Sequence, residues 1–455
     1  MKKLLSSMQI HKKPIVIKHS NLSNSWLMDK LSVLKLESIA KDVGFVQRVR
    51  KLDPVSMLTV FFMASLSSDF SLSNWALQLD RLFELRISKQ GIWNRLSRSY
   101  SRFLEQVLLH VLKADLTACR GLDVSQGLLK GFNRVLINDS TTIKLPDVLK
   151  SFFKGNHSRG KLKSLAKIQA IIDLKSDRFV DLELGDYTKN DQKASADILS
   201  IIQPGDLVIR DLGYFVLKTI EKIMTNAFFI SKLRYGLRLY HSDGKELNLV
   251  KLLKDSPTLD RQILAGTAKI PLRLVVNPVN EQIASQRRRK ARKDRDKRKN
   301  HSKDYYLLLG YDIHITNLDQ NSYDAKTIHW LYGLRWRIET IFKSWKSHLK
   351  LNDTIHFNLK CADKVRIMIY SCLILSTLVQ MGIYSHYCRV IYKKTKKCLS
   401  MIKFTQVLRR NPLWILQSKL YDPQMENSLI RHCCYEKRVK RKNFLEKMML
   451  IQSLS

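Results

Sequence analysis

Arg134-Val135-Leu136-Ile137-Asn138-Asp139 is a short apolar run that ends in a carboxylate, and Asp206-Leu207-Val208-Ile209-Arg210-Asp211 repeats the pattern (211 − 139 = 72 residues later). Runs this short, bounded by polar residues and rich in Val and Ile, read as buried strands. Between them lie two further strand-like runs, Lys167–Leu174 and Arg178–Leu184, and a helical stretch, Asp191–Ile202. A helix over Tyr214–Met224 and a strand over Ala227–Leu233 follow. Three successive strands and then helix, strand, helix, strand predict a mixed sheet covered by helices. Asp139 and Asp211 each close a predicted strand, where side chains are held rigidly at a sheet edge and sites are commonly built. One such Asp usually caps a turn; two of them are more specific.

N-terminal to these strands, residues 25 to about 115 read as helical, with Met57–Leu66 apolar enough to be buried. Leu72–Leu85 and the basic stretch after Ser88, which carries Arg95, suggest a helix-turn-helix, although any helical bundle with a basic face reads the same way. Past the sheet, residues 234–320 mix strand-like pieces (Leu272–Val276, Tyr311–Thr316) with the run Arg287-Arg288-Arg289-Lys290, which continues in the same vein to Lys299. That segment reads as a β-rich insertion with a basic loop. Helix returns over Asp324–Leu349, and the remainder from about 360 is helical and basic. The resulting division is 1–128, 129–233, 234–320, 321–355 and 356–455.

The charge points to a polyanionic partner. The 455 residues hold 80 Lys and Arg against 40 Asp and Glu, a formal net charge of +40. Self-repulsion of that size is usually offset by nucleic acid, the alternative being an anionic membrane surface. The most apolar stretch, Ile367–Met381, is short for a membrane span and interrupted by Ser371, Ser376, Thr377 and Gln380, so it reads as a buried helix. No long apolar stretch follows the basic N-terminus, which reads as lacking a secretory signal. The seven cysteines are odd in number and form no CxxC, which predicts free thiols in a reducing compartment; His432-Cys433-Cys434 is at most a fragment of a metal site. The expectation is a soluble cytoplasmic protein associated with the nucleoid through DNA.

The most informative helix runs from Trp330 to Lys346. At about 100° per residue, Tyr332, Arg335, Glu339, Lys343 and Lys346 share an arc of about 80°. Such a stripe is ordinarily a solvated face, and Glu339 is spaced to pair with both Arg335 and Lys343. The flanks, however, are very apolar: Leu331, Leu334, Trp336, Ile338, Ile341, Phe342 and Trp345. A helix buried on several sides needs something to meet its polar stripe. One carboxylate among Arg and Lys suits a site that holds a cation and nucleic-acid phosphates together.

Tyr332-x2-Arg335-x3-Glu339-x6-Lys346 resembles the Tyr-Arg-Glu-Lys signature of bacterial DDE transposases of the insertion sequence four family. Asn138-Asp139-Ser140-Thr141-Thr142 and Ile209-Arg210-Asp211-Leu212-Gly213-Tyr214-Phe215 resemble that family's first and second Asp motifs. The resemblance covers about residues 130–350 and implies an RNase H-like core, a largely β insertion before the Glu helix and a helical N-terminal DNA-binding region. It also implies that Asp139, Asp211 and Glu339 hold two Mg²⁺ ions (Mn²⁺ being possible) about 3.5–4 Å apart for DNA cleavage and strand transfer. Without cations, three such carboxylates repel, and a poorly organised site is expected. Arg335 and Lys346, with Lys343 as a further candidate, would contact phosphates near the transposon end, and Tyr332 would donate to a phosphate or pack on DNA. Terminal inverted repeats and target DNA are the implied partners, with a homodimer when two ends are synapsed. Two alternatives stay open at this point: a nuclease with the same core, and a non-catalytic DNA-binding or repressor protein.

Overall fold

The computed structural model describes residues 25–48, 52–67, 69–114, 129–158, 160–293, 301–347, 361–417 and 422–436. Six N-terminal helices come first: α1 (Trp26–Val33), α2 (Leu36–Asp42), α3 (Pro54–Ser67), α4 (Leu72–Phe83), α5 (Lys89–Arg95) and α6 (Arg98–Lys113). Ser residues cap α1, α4, α5 and α6, each accepting from a backbone N–H inside its helix. The expected burial of Met57–Leu66 holds, since α3 is buried along nearly its whole length.

The sheet follows. Its strands are β1 (Val135–Leu145), β2 (Lys154–Ser158), β3 (Lys161–Asp173), β4 (Arg178–Asp186), β5 (Leu207–Arg210), β6 (Phe228–Lys232), β7 (Leu239–Tyr240), β8 (Leu259–Ala265), β9 (Ile270–Pro278) and β10 (Tyr311–Thr316). Their order is β2-β3-β1-β5-β6-β10-β9-β8-β7, with β4 also paired to β3. Strands β1, β5 and β6 run parallel, while β3 is antiparallel to β1 and β4. Three antiparallel strands followed by two parallel ones match the mixed core read from the sequence. The strands expected in an insertion are not a separate layer: β10 pairs with β6, and β9 and β8 extend the same sheet.

Two expected helices differ. Lys193–Ser200 is a 3₁₀ segment, and the helix expected from Tyr214 starts only at Leu217 (α7, Leu217–Met224). Helices α8 (Leu249–Asp255), α9 (Glu281–Arg292) and α10 (Lys303–Leu308) lie between the later strands. Half of the expected basic loop is thus helical, and residues 294–300 lie outside the described residues.

The helix read as Trp330–Lys346 is two helices, α11 (Ala325–Gly333) and α12 (Trp336–Ser347). At their junction, bonding tightens to three-residue spacing: Arg335 N–H donates to the Tyr332 carbonyl at 3.1 Å, and Arg337 N–H to that of Leu334 at 3.0 Å. Gly333, poor in helix propensity, sits at the break. Helix α13 (Ala362–Leu378) runs through a π-helical turn, Val379–Tyr384, into α14 (Ser385–Thr395), a continuous 34-residue helix longer than the sequence suggested. By length and composition it could cross a membrane, but its apolar window is entirely buried inside the protein. Helix α15 (Met401–Arg410) packs against α12 through a Ser344–Thr405 hydroxyl pair at 3.0 Å.

Alternation assigns the two faces of the sheet. Val135, Ile137 and Ile143 of β1, Leu207 and Ile209 of β5, and Ile230 of β6 face the core shared with the N-terminal helices, α12 and α13. Leu136, Val208 and Phe229 face a second core with α7 and the later strands. A bidentate ion pair fixes the start of β1 against β5: Arg134 Nε and Nη2 donate to the Asp206 carboxylate at 3.1 and 2.6 Å. The Asp206 side chain is fully buried. Arg134→Met is expected to destabilise the protein by roughly 3–5 kcal/mol, because it leaves a buried carboxylate without its cation. Arg134→Met combined with Asp206→Leu should recover most of the loss. Urea denaturation of the two variants checks this, and equal losses would show that the pair does not hold the strands.

Candidate active site

Register brings the two aspartates level. Asn138 pairs with Arg210 across the β1–β5 ladder, so Asp139 and Asp211 are the next residues on neighbouring strands. Both share the parity of Ile137 and Ile209 and therefore face the layer that contains α12. Asp139 is not at a strand end as expected. Strand β1 continues to Leu145, because Ser140–Leu145 keep pairing with β3; what stops at Asn138 is the pairing with β5. Asp211 does follow the last residue of β5, and it caps a 3₁₀ turn by accepting from Gly213 N–H at 3.3 Å.

Helix α12 supplies the third carboxylate. Ile338, Ile341, Phe342 and Trp345 are buried, and they press the helix onto the sheet. Arg337 anchors it from another side with a bidentate pair to Asp177 at the β3–β4 turn, with contacts of 2.7–3.1 Å. Glu339 then faces Asp139 and Asp211 across the Arg335 guanidinium. Nη1 of Arg335 lies 2.9 Å from Asp139 and 3.6 Å from Asp211, and Nη2 lies 2.5 Å from Glu339. The Arg335 side chain is only 14% exposed. The site is therefore organised, contrary to the expectation from repulsion alone, because one internal cation serves all three carboxylates.

Burial nevertheless dominates at Asp139. It pushes the carboxyl up to about 6, against the opposing pull of Arg335 and of the Ser140 N–H, which donates to it at 2.8 Å; Asp211 and Glu339 add to the rise. These groups, with Ser140, Phe342, Lys343 and Lys346, line an open cleft of about 550 Å³. Lys343 is exposed; Lys346 is half-buried, and burial lowers its pKa. Tyr332 does not line the cleft. It is buried under Arg335, with its ring centroid 6.0 Å from the guanidinium and 4.8 Å from that of His314. His314 is itself buried, which drives its pKa down to about 3 and leaves the imidazole neutral.

Sequence reading missed a fourth carboxylate. Asp191 accepts from Ser140 Oγ at 2.7 Å and pairs with buried Lys167 at 2.7 Å. Burial opposes its ionisation, but the bonds from Lys167 and Ser140 outweigh that and hold it below the usual carboxylate range. A Cβ on Gly213 would come within 2.8 Å of an Asp191 carboxylate oxygen, so a side chain there would have to displace that carboxyl group. Lys167, next to the apolar positions Ala166 and Ile168 of β3, was the available signal, since a charge buried there requires a partner. The basic segment is partly spent within the fold. Arg287 pairs with Asp312 at 2.7 Å and Arg288 with Glu281 at 2.9 Å, while Arg289 and Lys290 are exposed. Arg95 ends α5, well away in sequence from the cleft, and is half-buried.

The donor set suits a hard divalent cation. Three carboxylates surround one positive group, and oxygen-only ligands favour ions of the Mg²⁺ and Mn²⁺ type. With Arg335 between them they are not gathered as ligands: among the described residues no three His, Cys, Asp or Glu stand in a metal-holding cluster, His432-Cys433-Cys434 included. The six described cysteines are free thiols, and Cys119 lies outside the described residues.

Comparison with known proteins places this geometry. Residues 130–378, more than half of the chain, match the family described as Transposase DDE domain. The chain is 26% identical over 408 residues to the transposase for insertion sequence element IS231F of Bacillus thuringiensis subsp. israelensis, covering 84% of each. It is 28% identical over 341 residues to that for IS231B of Bacillus thuringiensis subsp. berliner, covering 70% of this chain and 71% of the relative. For the transposase of IS1151 of Clostridium perfringens the identity is 25%, covering 78% of this chain and 77% of the relative. Among solved structures, the piggyBac transposase synaptic complex with hairpin DNA overlaps 94% of this chain and 88% of that one at 8% identity, with a TM-score of 0.42, a likeness too distant to carry an argument. The stretch matched by the family contains Asp139, Asp211 and Glu339 and the strands and helix that bring them together: the chain belongs to the bacterial DDE transposases, enzymes that cleave and join DNA with divalent metal ions.

Proposed function

We propose that this chain is the transposase of a bacterial insertion sequence. In this reading it binds the terminal inverted repeats, cuts DNA at them and joins the freed ends to target DNA. The observation that supports this most strongly is the convergence of Asp139, Asp211 and Glu339 on one cationic group in a cleft rimmed by Lys343 and Lys346.

Asp139, Asp211 and Glu339 would hold Mg²⁺, with Mn²⁺ as a substitute. Bound there, divalent ions supply activation of the attacking water or 3′-hydroxyl and stabilisation of the leaving 3′-oxygen. Asp139, level with Asp211 and facing Glu339, would be one of the residues that hold the ions. Arg335 must give up its carboxylates for this to happen, and its fork is then available for a phosphate, which it can grip with two parallel hydrogen bonds. Lys343 and Lys346 would act as point charges along the same strand. Tyr332 supports Arg335 from beneath instead of touching DNA. Arg289 and Lys290 of α9 and the α4–α5 pair with Arg95 would add DNA contacts outside the cleft, and synapsis of two ends would make the working form a homodimer. The chain would work in the cytoplasm on the nucleoid.

Asp139→Ala, Asp211→Ala and Glu339→Gln are each expected to abolish Mg²⁺-dependent cleavage of end DNA while leaving the gel shift largely intact. Full cleavage by any one of them would remove that residue from the set. Arg335→Gln should tighten Mn²⁺ binding to the DNA-free protein by about tenfold or more, since each charge-assisted bond it gives up is worth roughly 1.5–3 kcal/mol. Titration calorimetry reads this, and unchanged or weaker binding would contradict the competition. Asp139 also carries a stability signature. Its folded-state pKa is raised above the unfolded value, so ionising it costs the fold about 3 kcal/mol at neutral pH. That cost shrinks as pH falls through about 6 and is gone below about 4, where both states are protonated. Metal-free Asp139→Asn should therefore melt higher than the parent at pH 8, with the gain vanishing by pH 4.

A further inference from the structure

The row formed by Asp139 and Asp211 has a third member. Arg210 pairs with Ser231 across the β5–β6 ladder just as Asn138 pairs with Arg210, so the next residues in line are Asp139, Asp211 and Lys232. Lys232 shares the parity of Ile230, whose side chain joins the same core as Ile137 and Ile209. All three side chains therefore leave one face of the sheet at one level.

The Lys232 ammonium is not consumed by the fold. Its nearest carboxylate, Asp312, stands 4.0 Å away, at the limit of an ion pair. Asp312 is already matched by Arg287 at 2.7 Å, with His329 Nδ1 at 3.4 Å. Lys232 Nζ otherwise lies over the Tyr332 ring, 5.6 Å from its centroid, and 38% of its side chain is exposed. Burial lowers its pKa; Asp312 and Asp211 oppose this, while Arg287 and Arg335 add to it. A half-desolvated ammonium with an incomplete counter-charge, level with two carboxylates, is poised for an external anion.

Its position specifies which one. Tyr332, Arg335, Glu339, Lys343 and Lys346 succeed one another along α11 and α12. Lys343 and Lys346 lie beyond Glu339, while Lys232 lies beside Tyr332 at the opposite end. A strand crossing the carboxylates thus meets lysines on both sides. We propose that Lys232 is a DNA-binding residue of this site, taking a backbone phosphate that flanks the scissile one on the side away from Lys343 and Lys346. This rests on the reading of Asp139, Asp211 and Glu339 as the cutting site.

The test uses full-length protein and a duplex of the inverted repeat that flanks its own gene, with Ca²⁺ in place of Mg²⁺ so that binding is read apart from cleavage. Lys232→Met is expected to weaken binding about tenfold and to reduce the log–log salt slope by about 0.9, the loss of one phosphate contact. Neutral methylphosphonates placed one at a time around the cleavage point should then identify the phosphate. One neighbour should cost the parent about tenfold and cost Lys232→Met nothing, whereas Lys346→Met should lose its sensitivity on the other side. Lys232→Arg should keep both the slope and the sensitivity. An unchanged slope and methylphosphonate profile in Lys232→Met would overturn the assignment. So would a parent protein indifferent to every flanking phosphate on that side, whatever the stability of the variant. Cleavage by Asp139→Ala would instead sink the underlying site, which is a separate outcome.

Discussion

The candidate site depends on one constraint: three neighbouring parallel strands whose mutual pairing stops at the same level with the same parity. The 72-residue offset that sets Val135 against Leu207 also sets Asp139 beside Asp211, and the Arg134–Asp206 pair pins that offset where the strands begin. A slip of one residue would turn one aspartate to the opposite face, into the second core. The same constraint carries over to β6 and makes Lys232 part of the row. Helix α12 completes the site because its apolar face and Arg337 dock it over this one face of the sheet.

The electrostatics follow from that placement. Carboxylates brought together at the edge of a buried layer are disfavoured by desolvation and by one another's charge, and the rise of Asp139 to about 6 is what remains after Arg335 and the Ser140 N–H have opposed it. Arg335 offsets part of it by standing where a cation is wanted. The same residue is thereby set against a metal for the same oxygens, so that in the proposed reaction metal loading and phosphate gripping are linked through one guanidinium. Asp191 has no such role open to it. Lys167 and Ser140 already satisfy it, and its contribution is to hold Ser140 beside Asp139.

Much of this was legible in the residues. Short Val- and Ile-rich runs ending in Asp identified β1 and β5, and the stripe from Tyr332 to Lys346 singled out Glu339. The Arg335–Glu339 pairing follows directly from i,i+4 spacing. What was not legible depended on non-local pairing. The extension of β1 past Asp139 runs along its antiparallel partner β3, and its local signal, Thr141, Ile143 and Leu145 alternating with Thr142 and Lys144, was overlooked beside the carboxylate. The break at Leu334–Arg335 is a tightening of backbone bonding that a wheel drawn at constant pitch cannot display. The continuity of the later strands with the core sheet rests on β10 pairing with β6, some 80 residues apart in the chain (311 − 232 = 79). The joining of α13 to α14 through a π-helical turn was likewise hidden behind polar residues that read as interruptions.

In the proposed reaction Asp139, Asp211 and Glu339 exchange an internal cation for divalent metal when DNA is bound. The most direct measurement is anomalous scattering from Mn²⁺ in crystals of the protein with its transposon-end DNA. Manganese is expected on oxygens of all three carboxylates, with the Arg335 guanidinium moved off them and onto a phosphate. Manganese bound elsewhere, or an Arg335 still seated between the carboxylates in a DNA complex competent for cleavage, would contradict it.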